Sequence, residues 1–376
     1  MKRVFTMVLA LTVLAVMPLP ARAAGKSSVL MDVETGTVLQ EHNAHEPLAP
    51  ASVTKIMTML LIMEAVDSGK IAMTDTVTAS ETAAAKGGSQ IYLKVGEVMT
   101  VTDMLKSIAV SSANDCACAM AEHLAGSEEA FVEQMNAKAA ELGMADTHFV
   151  NCTGLDDGPD AARHRTSAYD IALMSRQLLK YHPDIRQFTT IWMDTVRDGA
   201  FGLSNTNKLI RFYQGATGLK TGFTSGAGYC LSATAEREGM ELIAVVMGAD
   251  TSASRNTACK QLLDYGFANF AVIRPQLPES EPVPVKLGKQ SAVEAVLGED
   301  GGMLIDKAQK AAVTMELSVE PSVDAPVSRG QRLGTLTVKA GDQVLREIPL
   351  VASEAVPRQS YWELAGNVLK KAAMGK

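Results

Sequence analysis

The stretch Ser52-Val53-Thr54-Lys55 follows Pro50-Ala51 directly and opens a long apolar run that ends at Val66. The run predicts a buried helix, on which Ser52 and Lys55, three residues apart, share one face. A serine hydroxyl is a weak nucleophile until a base takes its proton, and an amine held against apolar neighbours can be that base if its pKa falls. The motif therefore predicts an acylating serine with its own base, although S-x-x-K also arises by accident.

Two further short motifs follow along the chain. Ser112-Ala113-Asn114 ends an apolar stretch that begins at Val101, and Lys220-Thr221-Gly222 lies on a predicted strand. The S-x-N pattern is common and recurs at Ser254-Arg255-Asn256, whereas S-x-x-K and K-T-G each occur once. In this order and these contexts, the three motifs predict one site built from a serine, two lysines and a second serine.

The first residues are typical of a secretory signal peptide. Lys2 and Arg3 precede the uncharged apolar stretch 4–17, and Ala21-Arg22-Ala23 follows. We predict that residues 1–23 are removed and that the protein works outside the cytoplasm, since the apolar stretch is too short for a stable membrane-spanning helix. A retained signal anchor is the alternative.

The acidic composition of the chain argues against a nucleic-acid-binding function. The chain has 35 basic and 42 acidic residues, and residues 1–23 hold three basic and no acidic ones, so the remainder is more acidic than the whole. Nucleic acid is therefore not an expected partner.

The five cysteines are an odd number in apolar contexts and predict buried, unpaired thiols. The six histidines form no ligand set, so no metal site is predicted.

Strand patterns at both ends of residues 24–273 enclose a helical middle. Ser28–Asp32 and Thr37–Gln40 predict a strand pair, and a hairpin joins Tyr229–Ala235 to Met240–Met247. Helical patterns fill much of the region between them up to Leu179. We predict an α/β (α+β) catalytic domain, with helices packed on an antiparallel sheet and an inserted helical region. A helix near 257–270 is expected to close it.

Residues 274–355 open with a proline-rich linker and predict a small all-β domain. Its predicted strands are 283–287, 313–319, 335–338 and 344–351. Residues 356–376 predict an amphipathic helix that lies on a membrane surface, with a docking helix or a frayed terminus as alternatives. The apolar stripe of this helix comprises Tyr361, Leu364, Ala365, Val368, Leu369 and Ala372.

With these motifs in place, the chain resembles the low-molecular-mass penicillin-binding proteins that are serine-type D-Ala-D-Ala carboxypeptidases of the peptidase S11 type. The resemblance covers nearly the whole chain. The sequence stretches that support it are 50–55, 147–149, 166–170 and 218–224. The resemblance implies a serine β-lactamase/penicillin-binding-protein-like catalytic domain. It also implies a peptidoglycan stem peptide as substrate, β-lactams as covalent inhibitors, and attachment to the outer face of the cytoplasmic membrane through the tail.

The resemblance also implies a role for each motif residue. Ser52 would attack the carbonyl between the two terminal D-alanines, with Lys55 as base. Lys220 would help to keep Lys55 neutral by like-charge repulsion. Ser112 would relay a proton to the departing amine, and Asn114 would orient the peptide amide. No cofactor is required by this scheme.

The remaining expected site residues belong to substrate binding. Lys220 and Thr221, aided by Thr224 and Arg255, would hold the terminal carboxylate, while Gly222 lets the backbone approach the substrate. The backbone N–H groups of Ser52 and Phe223 would form the oxyanion hole. Phe223 departs from family members that carry histidine there; its ring could shield the acyl bond from water, but it removes a polar group.

Two alternatives stay open from the sequence. A class A β-lactamase shares S-x-x-K and K-T-G but has S-D-N and a loop glutamate that activates water. Here the middle residue is Ala113, and the loop region 151–165 has no glutamate. The second alternative is a non-catalytic wall-binding or sensor module whose serine is only acylated by antibiotic. Release of D-alanine that is lost on Ser52→Ala substitution separates the enzyme from this module.

Overall fold

The computed structural model describes residues 25–299 and 302–366 of the chain, so the predicted signal peptide lies outside the described residues. The α-helices, in chain order, are α1 (Lys55–Asp67), α2 (Glu81–Ala84), α3 (Val101–Ser111), α4 (Asn114–Ala125), α5 (Glu128–Glu141), α6 (Ala168–Tyr181), α7 (Arg186–Thr189), α8 (Leu209–Phe212) and α9 (Ser252–Asn269). The β-strands are β1 (Ser27–Asp32), β2 (Val38–His42), β3 (Thr76–Thr78), β4 (Val98–Thr100), β5 (Met193–Val196), β6 (Phe201–Ser204), β7 (Ala216–Thr224), β8 (Gly228–Arg237), β9 (Met240–Ala249), β10 (Phe270–Ile273), β11 (Val283–Lys286), β12 (Ala292–Val293), β13 (Ala295–Leu297), β14 (Met303–Asp306), β15 (Val313–Val319), β16 (Val323–Asp324), β17 (Arg332–Ala340) and β18 (Gln343–Ala352).

An antiparallel sheet in the order β2-β1-β9-β8-β7 organises the first part of the chain. Side chains alternate between the two faces of a strand, so β9 serves two cores. Ile243 and Val245 pack with α1 and its neighbouring helices, whereas Leu242 and Ala244 pack with α9. The predicted arrangement of an antiparallel sheet with helices packed on it and a helical middle is confirmed.

Helix α1 is the central helix of the larger core. Ile56, Met57, Met59, Leu60 and Ile62 are fully buried, and the helix packs against α3, α4 and α6. A helix that is apolar on nearly all sides must be enclosed by others. Burial of each such side chain contributes roughly 1.5–3 kcal/mol, so the start of α1 is firmly held.

Two elements differ from the sequence-based expectation. Helix α9 begins at Ser252 rather than near Thr257, because Thr251 and Ser254 form a reciprocal capping box that starts the helix in a polar stretch. The β5–β6 hairpin was not predicted, since its strands are short and only Val196 and Leu203 in it are buried. Ser167 caps α6, with its side chain accepting a hydrogen bond from the Asp170 N–H at 3.1 Å.

The second part of the chain is built from strands, turns and the 3₁₀ helix Lys307–Ala312. Its sheets have the orders β13-β18-β17-β15 and β12-β11-β16, around a core that includes Leu333, Leu336 and Leu350. Strand β10, which directly follows α9, pairs with β14 of this part. The predicted β-rich character is confirmed.

The predicted amphipathic tail is only partly described. Residues 361–366 are helical, with Tyr361 and Trp362 exposed to solvent, and residues 367–376 lie outside the described residues. The amphipathic helix over 356–376 therefore stays a prediction. Among the helices of the described residues, none has the length and apolar character needed to cross a bilayer.

Candidate active site

The Ser52 motif forms a tight turn at the start of α1. Ala51–Thr54 is a 3₁₀ turn, in which residues three apart lie above one another, and Lys55 is the first residue of the α-helix. Lys55 Nζ lies 3.0 Å from Ser52 Oγ and donates a hydrogen bond to the carbonyl oxygen of Thr153 at 2.8 Å. The predicted pairing of hydroxyl and amine is therefore present.

Burial controls the proton affinity of Lys55. The side chain is 0 % exposed, and burial lowers its pKa from 10.5 to about 7, against the opposing influence of the Cys152 thiol and the Asp115 carboxylate. A large fraction of the amines is therefore neutral near pH 7. Lys220 is also fully buried, and its pKa is lowered by burial first and then by the charges of Lys55 and Arg255. Burial is thus the main cause at both lysines, and like-charge repulsion between them lowers the pKa of Lys220 rather than that of Lys55.

The second motif lies at the junction of two helices. Ser112 ends α3 in the left-handed conformation, with φ of 63°, and α4 begins at Asn114. The side-chain nitrogen of Asn114 donates to the Gly87 carbonyl at 2.7 Å, while its oxygen Oδ1 is buried and accepts no hydrogen bond from the described residues. Both helices pack against α1, so this junction belongs to the same core as the Ser52 turn.

The third motif lies on β7, an edge strand of the sheet. A Cβ atom on Gly222 would lie 2.7 Å from the Pro50 carbonyl oxygen and 3.1 Å from the Ser52 nitrogen, so only glycine lets the strand backbone approach the Ser52 turn. Thr221 Oγ1 donates to Thr206 Oγ1 at 2.7 Å, and the Thr206 N–H donates to the Val110 carbonyl near the end of α3. The third motif is thereby connected to both others.

The remaining predicted residues lie toward the end of β7. Phe223 is 55 % exposed and its ring lies 4.3 Å from that of Tyr229, while Thr224 Oγ1 accepts a hydrogen bond from the Ala227 N–H. Arg255 is buried, and donates to the Cys230 carbonyl at 3.3 Å and to Ser252 and Asn256 side chains. The charge of Arg255 contributes to the lowered pKa of Lys220. Among the described contacts, however, no hydrogen bond joins Arg255 to Lys220, Thr221 or Thr224.

Sequence reasoning missed a second layer of residues around the Ser52 turn. Thr54 Oγ1 donates to the Ala51 carbonyl and accepts from His164 Nε2, each at 2.8 Å. His164 Nδ1 accepts from the Val150 N–H at 3.1 Å, and burial lowers the pKa of His164 to about 4, so the ring is neutral. The Thr54–His164 contact joins residues 110 positions apart, and no local pattern indicated it.

All five cysteines are free and buried, as predicted. Burial raises the pKa of the Cys116 and Cys152 thiols well above the usual range, which makes the reactive thiolate form rare. Within residues 25–299 and 302–366, no group of three His, Cys, Asp or Glu side chains is arranged to hold a metal ion.

Gly154 is the position where a small substitution is expected to disturb the Ser52 turn most. Its φ is +83°, and an added Cβ would lie 1.8 Å from the Ala51 carbonyl oxygen. We expect Gly154→Ala to lower the free energy of unfolding by about 2–4 kcal/mol and to slow acylation of Ser52 by a penicillin at least tenfold. Thermal unfolding and acylation kinetics measure the two effects. Gly158→Ala in the same loop, where a Cβ meets nothing within 4 Å, is the control, and equal effects of the two substitutions would contradict the account.

Comparisons with known proteins match two families to this chain. Residues 15–251 match the family D-alanyl-D-alanine carboxypeptidase (Peptidase S11), and residues 277–358 match the C-terminal domain of penicillin-binding protein 5. The D-alanyl-D-alanine carboxypeptidase DacF of Bacillus subtilis is 46 % identical over 343 residues, which cover 89 % of this chain and 87 % of DacF. DacC of Escherichia coli, another D-alanyl-D-alanine carboxypeptidase, is 34 % identical over 89 % of this chain and 84 % of its own length.

Solved structures give the same assignment. Penicillin-binding protein 5 from Haemophilus influenzae superimposes with a TM-score of 0.75 at 30 % identity, covering 90 % of this chain and 99 % of that chain. Penicillin-binding protein D2 from Listeria monocytogenes, in its ampicillin-bound form, gives a TM-score of 0.60 at 32 % identity over 66 % of this chain and 100 % of that one. The chain belongs to the peptidase S11 family of D-alanyl-D-alanine carboxypeptidases, among the low-molecular-mass penicillin-binding proteins.

Proposed function

We propose that this D-alanyl-D-alanine carboxypeptidase removes the terminal D-alanine from peptidoglycan stem pentapeptides through an acyl-enzyme on Ser52. The observation that carries the proposal is the 3.0 Å separation of Ser52 Oγ from the fully buried Lys55 amine, whose pKa is about 7. A neutral amine at this distance can accept the hydroxyl proton as the oxygen attacks. The two side chains therefore supply the nucleophile and the base of the acylation step.

The first half of the reaction forms the acyl-enzyme. Ser52 Oγ bonds to the carbonyl carbon between the two D-alanines, its proton moves to Lys55, and the carbonyl oxygen becomes an oxyanion. The N–H groups of Ser52 and Phe223 stabilise that oxyanion, which the close approach of Gly222 to the Ser52 nitrogen supports. The carbonyl then re-forms as the C–N bond breaks, and the proton held by Lys55 passes through the Ser112 hydroxyl to the departing amine of the terminal D-alanine. In the second half, water hydrolyses the ester and frees Ser52.

Substrate positioning uses the other predicted site residues. Lys220 and Thr221 bind the free carboxylate of the terminal D-alanine, and Thr224 and the buried Arg255 charge support this anion subsite. The buried Asn114 Oδ1, which lacks a donor among the described residues, accepts a hydrogen bond from a substrate amide N–H. Binding of a carboxylate beside Lys220 favours its protonated form, which in turn favours neutral Lys55.

β-Lactams are the expected covalent inhibitors, because attack by Ser52 opens their strained amide and leaves an ester on the enzyme. The exposed ring of Phe223 next to Tyr229 is expected to shield part of this ester from water. We propose that deacylation of the penicillin adduct is slow, in contrast to the turnover of a class A β-lactamase.

The chain's export, domain limits and attachment complete the proposal. Residues 1–23 direct export, residues 24–273 form the catalytic domain, and residues 274–355 form the β-rich domain. Residues 356–376 bind the outer face of the cytoplasmic membrane, supported by the exposed Tyr361 and Trp362.

Release of D-alanine from a synthetic pentapeptide tests the proposed function directly. The purified protein is expected to release one D-alanine per pentapeptide, and to hold a penicillin adduct for many turnover times of the peptide reaction. Rapid, repeated hydrolysis of penicillin without D-alanine release would instead indicate a β-lactamase. A stable adduct without D-alanine release would indicate a sensor module.

A further inference from the structure

The Glu128 carboxylate turns into the protein rather than toward solvent. Glu128 is the first residue of α5, where an acidic side chain is ordinarily stabilised at the helix N-terminus. Its side chain is 12 % exposed and forms an ion pair with Lys86. The same carboxylate accepts hydrogen bonds at 3.2 Å from both the N–H and the thiol of Cys152. It therefore contacts the loop that precedes Thr153.

The contacted loop carries two consecutive carbonyl groups that face α1. The Cys152 carbonyl accepts a hydrogen bond from Thr58 Oγ1 at 2.6 Å, and the Thr153 carbonyl accepts one from Lys55 Nζ at 2.8 Å. Lys55 and Thr58 are three residues apart and share one face of the helix. The peptide segment is thus held by α1 on one side and by Glu128 at the Cys152 N–H.

The hydrogen bond to the Thr153 carbonyl orients the lone pair of the Lys55 amine. A neutral amine has two N–H bonds and one lone pair, and the lone pair must face Ser52 Oγ to take its proton. When one N–H is bonded to the Thr153 carbonyl, rotation about the last C–N bond of Lys55 is restricted. A shift of this carbonyl would turn the lone pair away from the hydroxyl, and small misplacements of reacting groups can be costly in rate.

We infer that Glu128 is a positioning residue for Lys55, which holds the Cys152–Thr153 backbone so that the Thr153 carbonyl orients the amine toward Ser52. The inference rests on the proposed role of Lys55 as the base. Burial opposes ionisation of Glu128, but its bonds to Lys86 and Cys152 outweigh that effect and lower its pKa, so its acceptor oxygens stay available. The carboxylate acts through the backbone and does not touch the substrate.

A pair of double variants tests the hydrogen bond separately from the charge. Lys86→Met removes the cation, and in that background Glu128→Gln keeps an acceptor for the Cys152 N–H, whereas Glu128→Ala does not. We expect acylation by a penicillin to be about tenfold slower or more in K86M/E128A than in K86M/E128Q. We also expect the acid limb of its pH profile to move to lower pH, because the protonated amine loses a fixed acceptor. Active-site concentrations are set by end-point penicillin labelling, so rates refer to folded enzyme.

Glu34→Gln is the matched control, because Glu34 forms a partly buried ion pair with Lys180 and, among the described hydrogen bonds and ion pairs, none with the Ser52 motif or the Cys152–Thr153 segment. It is expected to change the melting temperature but neither the acylation rate nor the pH profile. Equal rates in the two double variants, or a rate loss that follows the melting temperature with an unmoved acid limb, would overturn the role of Glu128. Failure of the unaltered protein to be labelled at Ser52 would instead overturn the proposed function.

Discussion

Replacing Ser52 by alanine is expected to lower kcat/KM for D-alanine release by roughly 10⁵-fold or more, since the loss of a nucleophile that works as a unit with its base removes nearly all chemical catalysis. Among the described residues, the Lys55 amine forms hydrogen bonds with Ser52 Oγ and the Thr153 carbonyl oxygen and with no other side chain. A water molecule in the space left by the hydroxyl could not form a covalent intermediate between the enzyme and the substrate. Penicillin labelling should disappear with the same substitution.

The control for Ser52→Ala lies at the other end of the same helix. Ser68 caps α1 at its C-terminus, and within the described part of the chain its hydroxyl donates only to the Ala65 carbonyl, so Ser68→Ala should leave D-alanine release unchanged. Circular dichroism and thermal unfolding should report a folded protein for both variants. Retention of more than about 1 % of the activity by folded Ser52→Ala would exclude Ser52 as the nucleophile.

Replacing Lys55 by arginine is expected to slow acylation by about 10³- to 10⁴-fold, because a guanidinium stays protonated at working pH and cannot accept the Ser52 proton. In the unaltered protein, acylation should rise with pH and level off above an apparent pKa near 7, the value to which burial lowers Lys55. Below that pH the protonated fraction grows, so the rate should fall about tenfold per pH unit. The arginine variant should lack this limb.

Lys70→Arg is the control for Lys55→Arg. Lys70 follows α1, and its amine donates to the Leu124 carbonyl at 3.0 Å, a bond that arginine can also make. This variant should keep both the rate and the pH profile. An acid limb near pH 7 that survives in Lys55→Arg would assign the titration to another group and remove Lys55 from the role of base.

Local sequence relations account for the pairing of Ser52 with Lys55 that the structure contains. Ser52 and Lys55 are one helical turn apart, and the apolar run behind them requires burial, so their pairing follows from short-range geometry. Strand alternation likewise places Lys220 and Thr221 on an identifiable strand. The second S-x-N sequence, Ser254-Arg255-Asn256, differs from the first in its local context. It lies within the first turns of α9, whereas Ser112-Ala113-Asn114 lies at the junction of two helices.

The second layer of the site depends on contacts that no short pattern encodes. Glu128 reaches Cys152 across 24 positions, and Thr153 meets Lys55 across 98. Backbone groups make several of these contacts, and a backbone carbonyl carries no residue-type signal. The absence of glutamate from the loop 151–165 was correct as a sequence observation, yet a glutamate from α5 bonds to that loop in three dimensions.

The most direct measurement is the mass of the acylated peptide after brief exposure of the protein to a penicillin, followed by digestion and fragmentation. The account predicts a single adduct, one penicillin in mass, on the hydroxyl of Ser52. The same digest of Lys55→Arg should contain the adduct only after much longer exposure, and that of Ser52→Ala should contain none. An adduct on Ser112, or on any residue other than Ser52, would contradict the account.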